Sequence, residues 1–259
     1  MVYLHKIPNA HKGEAMVRKN SSSIRVVSIV LGAGQGTRMG QPINKVFLPI
    51  NGKPVIIYAI EAFEHCPAVD EILLVAAAGE EDQLFKLARH AQCHKVRRVV
   101  RGGASRHASE QCALEILRPE IDAGEIDIVL IHDGARPFIS PEKVEQLINS
   151  ARVAGGAILA MPLQEEELIA QVDDNLCVQK SFEGNQVWRA QTPQAFRASL
   201  LLQAYDQAER DQFYGTDTAA SLERIGCGIA VVESETTNLK ITTAHDLFHA
   251  EKLSRLRRF

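Results

Sequence analysis

The chain has 259 residues, enough for one large α/β domain or two small ones, and a chain of this size buries about 70 to 75% of its unfolded surface. Hydrophobic residues make up 46% and charged residues 24%, ordinary globular usage that excludes a disordered or fibrous class for the bulk of the chain. The formal net charge of −3 excludes a broad basic face for nucleic acid, so an anionic ligand has to be met by a local cluster of cations.

Residues 1–23 have no hydrophobic period and contain a triple serine, which predicts a disordered extension, with Met16 an alternative start. From residue 24 to 259 the pattern predicts a single domain. Apolar β-branched runs (IRVVSIVL, EILLVAAA, VRRVV, IDIVLIH) alternate with amphipathic stretches (PVIIYAIEAF, EDQLFKLARHA, ASEQCALEIL). Strands separated by helices require crossovers, so the expected fold is α/β, Rossmann-like and doubly wound around a mostly parallel sheet. Ligands of such sheets sit beyond the carboxyl ends of the strands, which directs attention to the loops after Leu31, Val100 and Ile131.

The first of these loops is Gly32, Ala33, Gly34, Gln35, Gly36, Thr37, Arg38, Met39, Gly40. It lacks the third glycine of a dinucleotide fingerprint and the Gly-Lys-Ser/Thr of a Walker loop. It still offers backbone N–H groups that approach phosphate closely, with Arg38 as a charge-assisted donor and Lys45 as a second cation. Two cations over a bed of N–H groups suit a triphosphate. The next loop, Arg101 to Ser109, opens a helix, and its Gly102, Gly103 and Ser109 can read a base or ribose edge or simply cap that helix. The third begins at His132, where Asp133 emerges at the sheet edge as a candidate ligand for Mg²⁺ bridging phosphate oxygens.

Residues 163–188 depart from the pattern, with strand-like pieces around an Asp173-Asp174-Asn175 turn, and predict a β-arm standing off the sheet. Two helices (LLLQAYDQAER and TDTAASLERIG), a strand (GIAVVES) and a helix from about 244 to 258 complete the chain. The five cysteines are scattered without C-x-x-C spacing, and neither His65–Cys66 nor Cys93–His94 has metal-site spacing. They read as reduced thiols. No apolar run reaches the ~18 residues of a membrane span, so the expected location is the cytoplasm, with no membrane and no nucleic-acid partner.

Taken together, the glycine loop with Arg38, Asn44 and Lys45, the G-G-x-x-R-x-x-S piece Gly102–Ser109, HDGARP at 132–137, Thr192-Pro193-Gln194 and Asn238-x-Lys240 resemble the polyol-phosphate cytidylyltransferases. These are the enzymes of the 2-C-methyl-D-erythritol 4-phosphate and ribitol 5-phosphate type. The resemblance implies a nucleotide-diphospho-sugar transferase type of fold and transfer of a cytidylyl group from CTP to a small phosphorylated polyol, with Mg²⁺. It implies Arg38, Lys45 and Lys240 as catalytic cations. It implies Leu31, Gly32 to Thr37, Gly102, Gly103, Ser109 and Asp133 around CTP, Asp133 as metal ligand, and Arg136, Thr216 and Asp217 on the acceptor side. It also implies a homodimer, because in that family the arm reaches into the partner subunit. T-D-x-A-S is kept only in part, with Ala220 in the place of the serine.

The arm departs from the family. Where P-x-x-D-T-x-K is usual, residues 162–168 read PLQEEEL, and Gly184 stands where an arginine is usual. Glu165, Glu166 and Glu167 beside a phosphate pocket would repel the ligand. Three outcomes follow: Lys180 or Arg189 restores the charge, the arm points elsewhere, or the acceptor differs.

Overall fold

The computed structural model describes residues 24–34, 43–163, 168–183, 187–215 and 217–256. The first strand, β1 (Val26–Leu31), is an unbroken apolar run buried along almost its whole length, as a central parallel strand must be. A single 3-10 turn, Lys45–Phe47, leads into a small hairpin of β2 (Pro49–Ile50) and β3 (Lys53–Pro54). Helix α1 (Val55–Glu64) follows, then β4 (Glu71–Ala76), α2 (Glu81–His90), β5 (Val96–Arg101), α3 (Arg106–Asp122), β6 (Ile128–Asp133) and α4 (Pro141–Ala154). After β7 (Gly156–Pro162) come β8 (Leu168–Val172), β9 (Val178–Glu183), β10 (Trp188–Arg197), α5 (Ala198–Arg210), α6 (Thr218–Arg224), β11 (Ile229–Glu233) and α7 (Ala244–Leu256).

Seven strands form one sheet in the order β11-β7-β10-β6-β1-β4-β5. All of its pairings are parallel except those of β10, which lies antiparallel between β6 and β7. The interior parallel strands β4 and β6 are buried along their whole length, whereas β5 (VRRVVR), at the edge, carries arginines. Two separate apolar clusters cover the two faces of the sheet, the arrangement of a doubly wound fold. Serine side chains start the long helices: Ser105 accepts from Ala108 N at α3, and Ser140 accepts from Lys143 N at α4, with Pro141 in the first turn.

Strands β8 and β9 pair antiparallel in a two-stranded sheet of their own, and their turn is held by Asp173, whose carboxylate accepts from Asn175 N and Cys177 N. Val172, Leu176 and Val178 are exposed on this hairpin. The predicted extension 1–23, the run Glu165 to Glu167 and Gly184 lie outside the described residues. One expectation needed correction. Trp188, expected at the end of the arm, instead opens β10, the antiparallel strand between β6 and β7. Helix α7 runs to the last described residue, Leu256, and the rest of the expected helix lies outside the described residues.

Candidate active site

Three strand ends meet at one edge, each loop locked to its neighbour as it leaves the sheet. Gly32 N donates to Val75 O (2.7 Å), Gly102 N to Ala76 O (2.8 Å) and Gly134 N to Leu31 O (2.9 Å). This brings the predicted residues Leu31, Ala33, Gly34, Lys45, Gly103, Ser109, Asp133 and Lys240 to the wall of one cavity of about 440 Å³, together with Arg106. That volume is in the usual range for a small-molecule site. Gly102 has a steric reason to be glycine: a Cβ there would come 2.6 Å from Ala33 Cβ and 2.8 Å from Ser109 Oγ. At Gly34 a Cβ would meet nothing within 4 Å, so its missing side chain leaves open space where the cavity wall is bare backbone.

Asp133 ends β6, buried, with cations on three sides. Lys240 Nζ is 2.7 Å from Oδ2, Arg106 Nε 3.4 Å from Oδ1 and Arg136 Nε 3.7 Å from Oδ2. Burial alone would push this carboxyl up, but Arg106, Lys240 and Arg136 outweigh it and hold it well below the usual carboxylate range. His132, immediately before it, has no contact with solvent, and burial pushes its pKa down to about 4. One neutral tautomer satisfies its neighbours. Nε2–H donates to Arg136 O (3.0 Å), Nδ1 accepts from the Thr192 hydroxyl (3.2 Å), and Thr192 Oγ1 accepts from Asp133 N–H (3.0 Å). The HDGARP piece is thus rigid because its histidine is a neutral internal strut.

Lys240 is held in place by its neighbours. Asn238 is buried and its amide donates to Gln191 Oε1 (2.9 Å), Thr192 O (2.9 Å) and Ser234 Oγ (3.2 Å). Arg136 Nη1 donates to Asn238 O (2.8 Å), and Ile241 N to Ala135 O (2.9 Å). The lysine therefore projects from a segment clamped before and after it. On the other side of the cavity, Asn44 donates to Gly32 O and Glu80 Oε2 (2.8 Å each) and accepts from Val46 N, which fixes the turn that carries Lys45.

Gln35, Gly36, Thr37, Arg38 and Thr216 lie outside the described residues. Gly32 is buried behind the cavity wall. Asp217 caps α6, accepting from Ala220 N (3.1 Å) and from Gln194 Nε2 (3.2 Å). Arg136 faces Asp133 and the Asn238 carbonyl rather than open space. Of the two cations that could replace lost charge on the arm, Lys180 lies over the Phe182 ring (4.7 Å), and Arg189 is exposed beside Met161 in the β10–β7 pairing. Among the described residues no group of three or more His, Cys, Asp or Glu side chains surrounds a point. A divalent cation at Asp133 would draw its other oxygens from ligand phosphates and water, which is the habit of Mg²⁺ at phosphate sites. No helix among the described residues is long and apolar enough to cross a membrane.

Arg106, Glu110 and Gln191 had no assigned role in the sequence reading. The arginine was visible in the G-G-x-x-R-x-x-S spacing, but nothing local showed that it and Glu110, one helical turn on, meet at 2.7 Å with the glutamate buried.

A search of known families matches residues 26–255 to the model described as 2-C-methyl-D-erythritol 4-phosphate cytidylyltransferase (IspD). A protein of that name from Shouchella clausii is 38% identical over 230 residues, which cover 89% of this chain and 96% of that protein. The solved structure of 4-diphosphocytidyl-2C-methyl-D-erythritol synthase from Anaerococcus prevotii is similar with a TM-score of 0.77 and 27% identity, covering 90% of this chain and 97% of that one. The 2-C-methyl-D-erythritol 4-phosphate cytidylyltransferase structure from Thermus thermophilus gives 0.67 and 27%, over 88% and 98%.

Proposed function

Since the chain belongs to the 2-C-methyl-D-erythritol 4-phosphate cytidylyltransferase family, we propose that it joins CTP to 2-C-methyl-D-erythritol 4-phosphate, releasing pyrophosphate and serving isoprenoid precursor synthesis. The single observation that carries this reading is the gathering of Lys45, Lys240, Arg106 and Asp133 around one cavity walled by the bare backbone of Ala33, Gly34 and Gly103. In the reaction an anionic oxygen of the acceptor phosphate attacks the α-phosphorus of CTP. A new P–O bond forms as the bond to the β-phosphate oxygen breaks, and the electron pair leaves with pyrophosphate. No general base is needed, because the attacking oxygen is already charged near neutral pH.

Such a transfer asks the protein chiefly to position two polyanions and to offset their charge. Lys240, Lys45 and Arg38 supply that positive charge. We assign Leu31, Gly32 to Thr37 and Gly102–Gly103 to nucleotide binding, with Ser109 bracing the second loop through its contacts to Gly103 N (3.2 Å) and Gly103 O (3.4 Å). Arg136, Thr216 and Asp217 mark the acceptor side. Asp133 would hold Mg²⁺ jointly with the phosphates, and the ion would supply further charge neutralisation there. Lys240, 2.7 Å from Asp133 Oδ2, would lie beside such an ion and add its charge at the same place.

The active species in this reading is a cytoplasmic homodimer. A two-stranded hairpin is marginal in water by itself, and β8–β9 exposes Val172, Leu176 and Val178 where a second copy would cover them. Sedimentation at micromolar concentration should show a dimer, and a monomer that turns over would remove the arm from the site. The activity is tested by pyrophosphate release from CTP and Mg²⁺ with 2-C-methyl-D-erythritol 4-phosphate, run beside ribitol 5-phosphate. Turnover with the first supports the proposal. Turnover with ribitol 5-phosphate alone would mean that the carboxylates at 165–167 and Gly184 mark a changed acceptor.

A further inference from the structure

Behind the cavity lies a polar knot made by three helices. Glu110 is buried on α3 one turn after Arg106, and the two meet at 2.7 Å. The Tyr205 hydroxyl on α5 donates to Glu110 Oε2, and the Thr218 hydroxyl, the first residue of α6, donates to the same carboxylate (3.2 Å). Thr218 Oγ1 also accepts from Arg106 Nη1 (3.3 Å). His107 stacks flat on the Tyr205 ring, with centroids 4.7 Å apart and planes 8° from parallel. Burial raises the Glu110 carboxyl above its ordinary value, with Arg106, Tyr205 and Thr218 pulling against it, and the 2.7 Å contact fixes its geometry on Arg106.

The knot has two exits, one to each half of the site. Through Arg106 Nε it reaches Asp133 on the nucleotide side. Through Thr218 it reaches Asp217, whose carboxylate caps α6 and takes the Gln194 amide on the acceptor side. An arginine carries about 2 kcal/mol of rotamer entropy, so a guanidinium on a cavity wall stays put only if something behind it holds it. Glu110 is that group. A buried carboxylate without its cation is costly, so Arg106 and Glu110 fix one another, and α6 is fixed with them.

Resting on the CTP-dependent reading above, we propose that Glu110 is a positioning residue for the transfer. It holds Arg106 against Asp133 and, through Thr218, keeps the start of α6 aligned with the nucleotide loop, so that filling one half of the site steadies the other. Glu110 touches neither substrate; its effect passes through Arg106 and Thr218. A residue that served stability alone would lower the melting temperature and leave the response of α6 to CTP intact.

The test is amide hydrogen exchange across residues 218–224, with and without CTP and Mg²⁺, in the full chain and in Glu110→Gln. In the parent, CTP should slow exchange of these amides several-fold, and in Glu110→Gln by less than about twofold. In the same variant kcat should fall between about tenfold and a hundredfold, the scale of a small misplacement of reacting groups, while the Kd for CTP moves less than about threefold. Should Glu110→Gln fail to fold, Thr218→Val cuts one exit, keeps the Glu110–Arg106 pair and should lose the same protection. Equal protection of 218–224 in parent and variants, or no response to CTP in the parent, would overturn the proposal. Because exchange requires only CTP, it answers this question even where 2-C-methyl-D-erythritol 4-phosphate gives no pyrophosphate, the result that would sink the activity instead.

Discussion

Replacing Lys240 by alanine separates chemistry from architecture more cleanly than any other change in the site. Its ammonium lies 2.7 Å from Asp133 Oδ2, but its side chain is 38% exposed, so solvent screens the pair and its loss should cost at most about 1 kcal/mol of stability. Asp133 is not stranded, because Arg106 at 3.4 Å and Arg136 at 3.7 Å remain. The transition state has no such reserve. Removing a preorganised electrostatic stabiliser typically costs about 2 to 4 kcal/mol, which corresponds to a rate loss of about 30- to 900-fold. Pyrophosphate release at saturating CTP and acceptor measures the rate, and urea unfolding of the same preparation measures stability. A variant with a kcat within about threefold of the parent would refute the charge assignment. A variant that lost 3 kcal/mol or more of stability would show instead that the lysine holds the fold.

Three further changes probe the scaffold. Asn238→Ala strips donors from Gln191 Oε1, Thr192 O and Ser234 Oγ inside the protein; unfolding should become easier by about 2 to 3 kcal/mol, and kcat should fall with it because the lysine segment loses its clamp. Gly102→Ala pushes a methyl to within 2.6 Å of Ala33 Cβ and 2.8 Å of Ser109 Oγ, so the loop must move; calorimetry should show CTP binding weakened by at least about tenfold, with about 1 to 3 kcal/mol of stability lost. Acidification acts through His132, whose folded pKa of about 4 lies below the ordinary 6.5. A depressed value in a base means that its contribution is complete above pH 6.5 and is lost as pH falls toward 4. Between pH 7 and 4.5 this histidine alone should cost about 2 kcal/mol, a part of the slope that His132→Asn should lack in denaturant titrations.

The sheet edge was legible in the sequence because its signals are local. A β-branched run followed by glycine, as at Leu31–Gly32, or by Asp-Gly, as at Asp133–Gly134, marks a strand end and a turn within a few residues. Family membership was legible for the same reason, since its motifs are short and ordered along the chain. What stayed hidden depends on contacts across long separations. Glu110 meets Thr218 over 108 residues and Tyr205 over 95, and no periodicity announces such a meeting. His132 looked like part of a signature; only its burial shows that it stays neutral.

Strand β10 explains why the Thr192-Pro193-Gln194 piece matters more than its plain residues suggest. An antiparallel strand inserted between β6 and β7 runs against its neighbours and starts at the edge where they end, beside the cavity. Its pairing with β7 slips between Gln191 and Gln194, and that irregularity frees two consecutive side chains for the site. Gln191 accepts from the Asn238 amide, while Thr192 accepts from the Asp133 N–H and donates a hydrogen bond to His132 Nδ1. A regular strand would send alternate side chains to opposite faces and could not serve both at once. One bulge in one reversed strand therefore ties the backbone that carries the lysine to the backbone that carries the carboxylate.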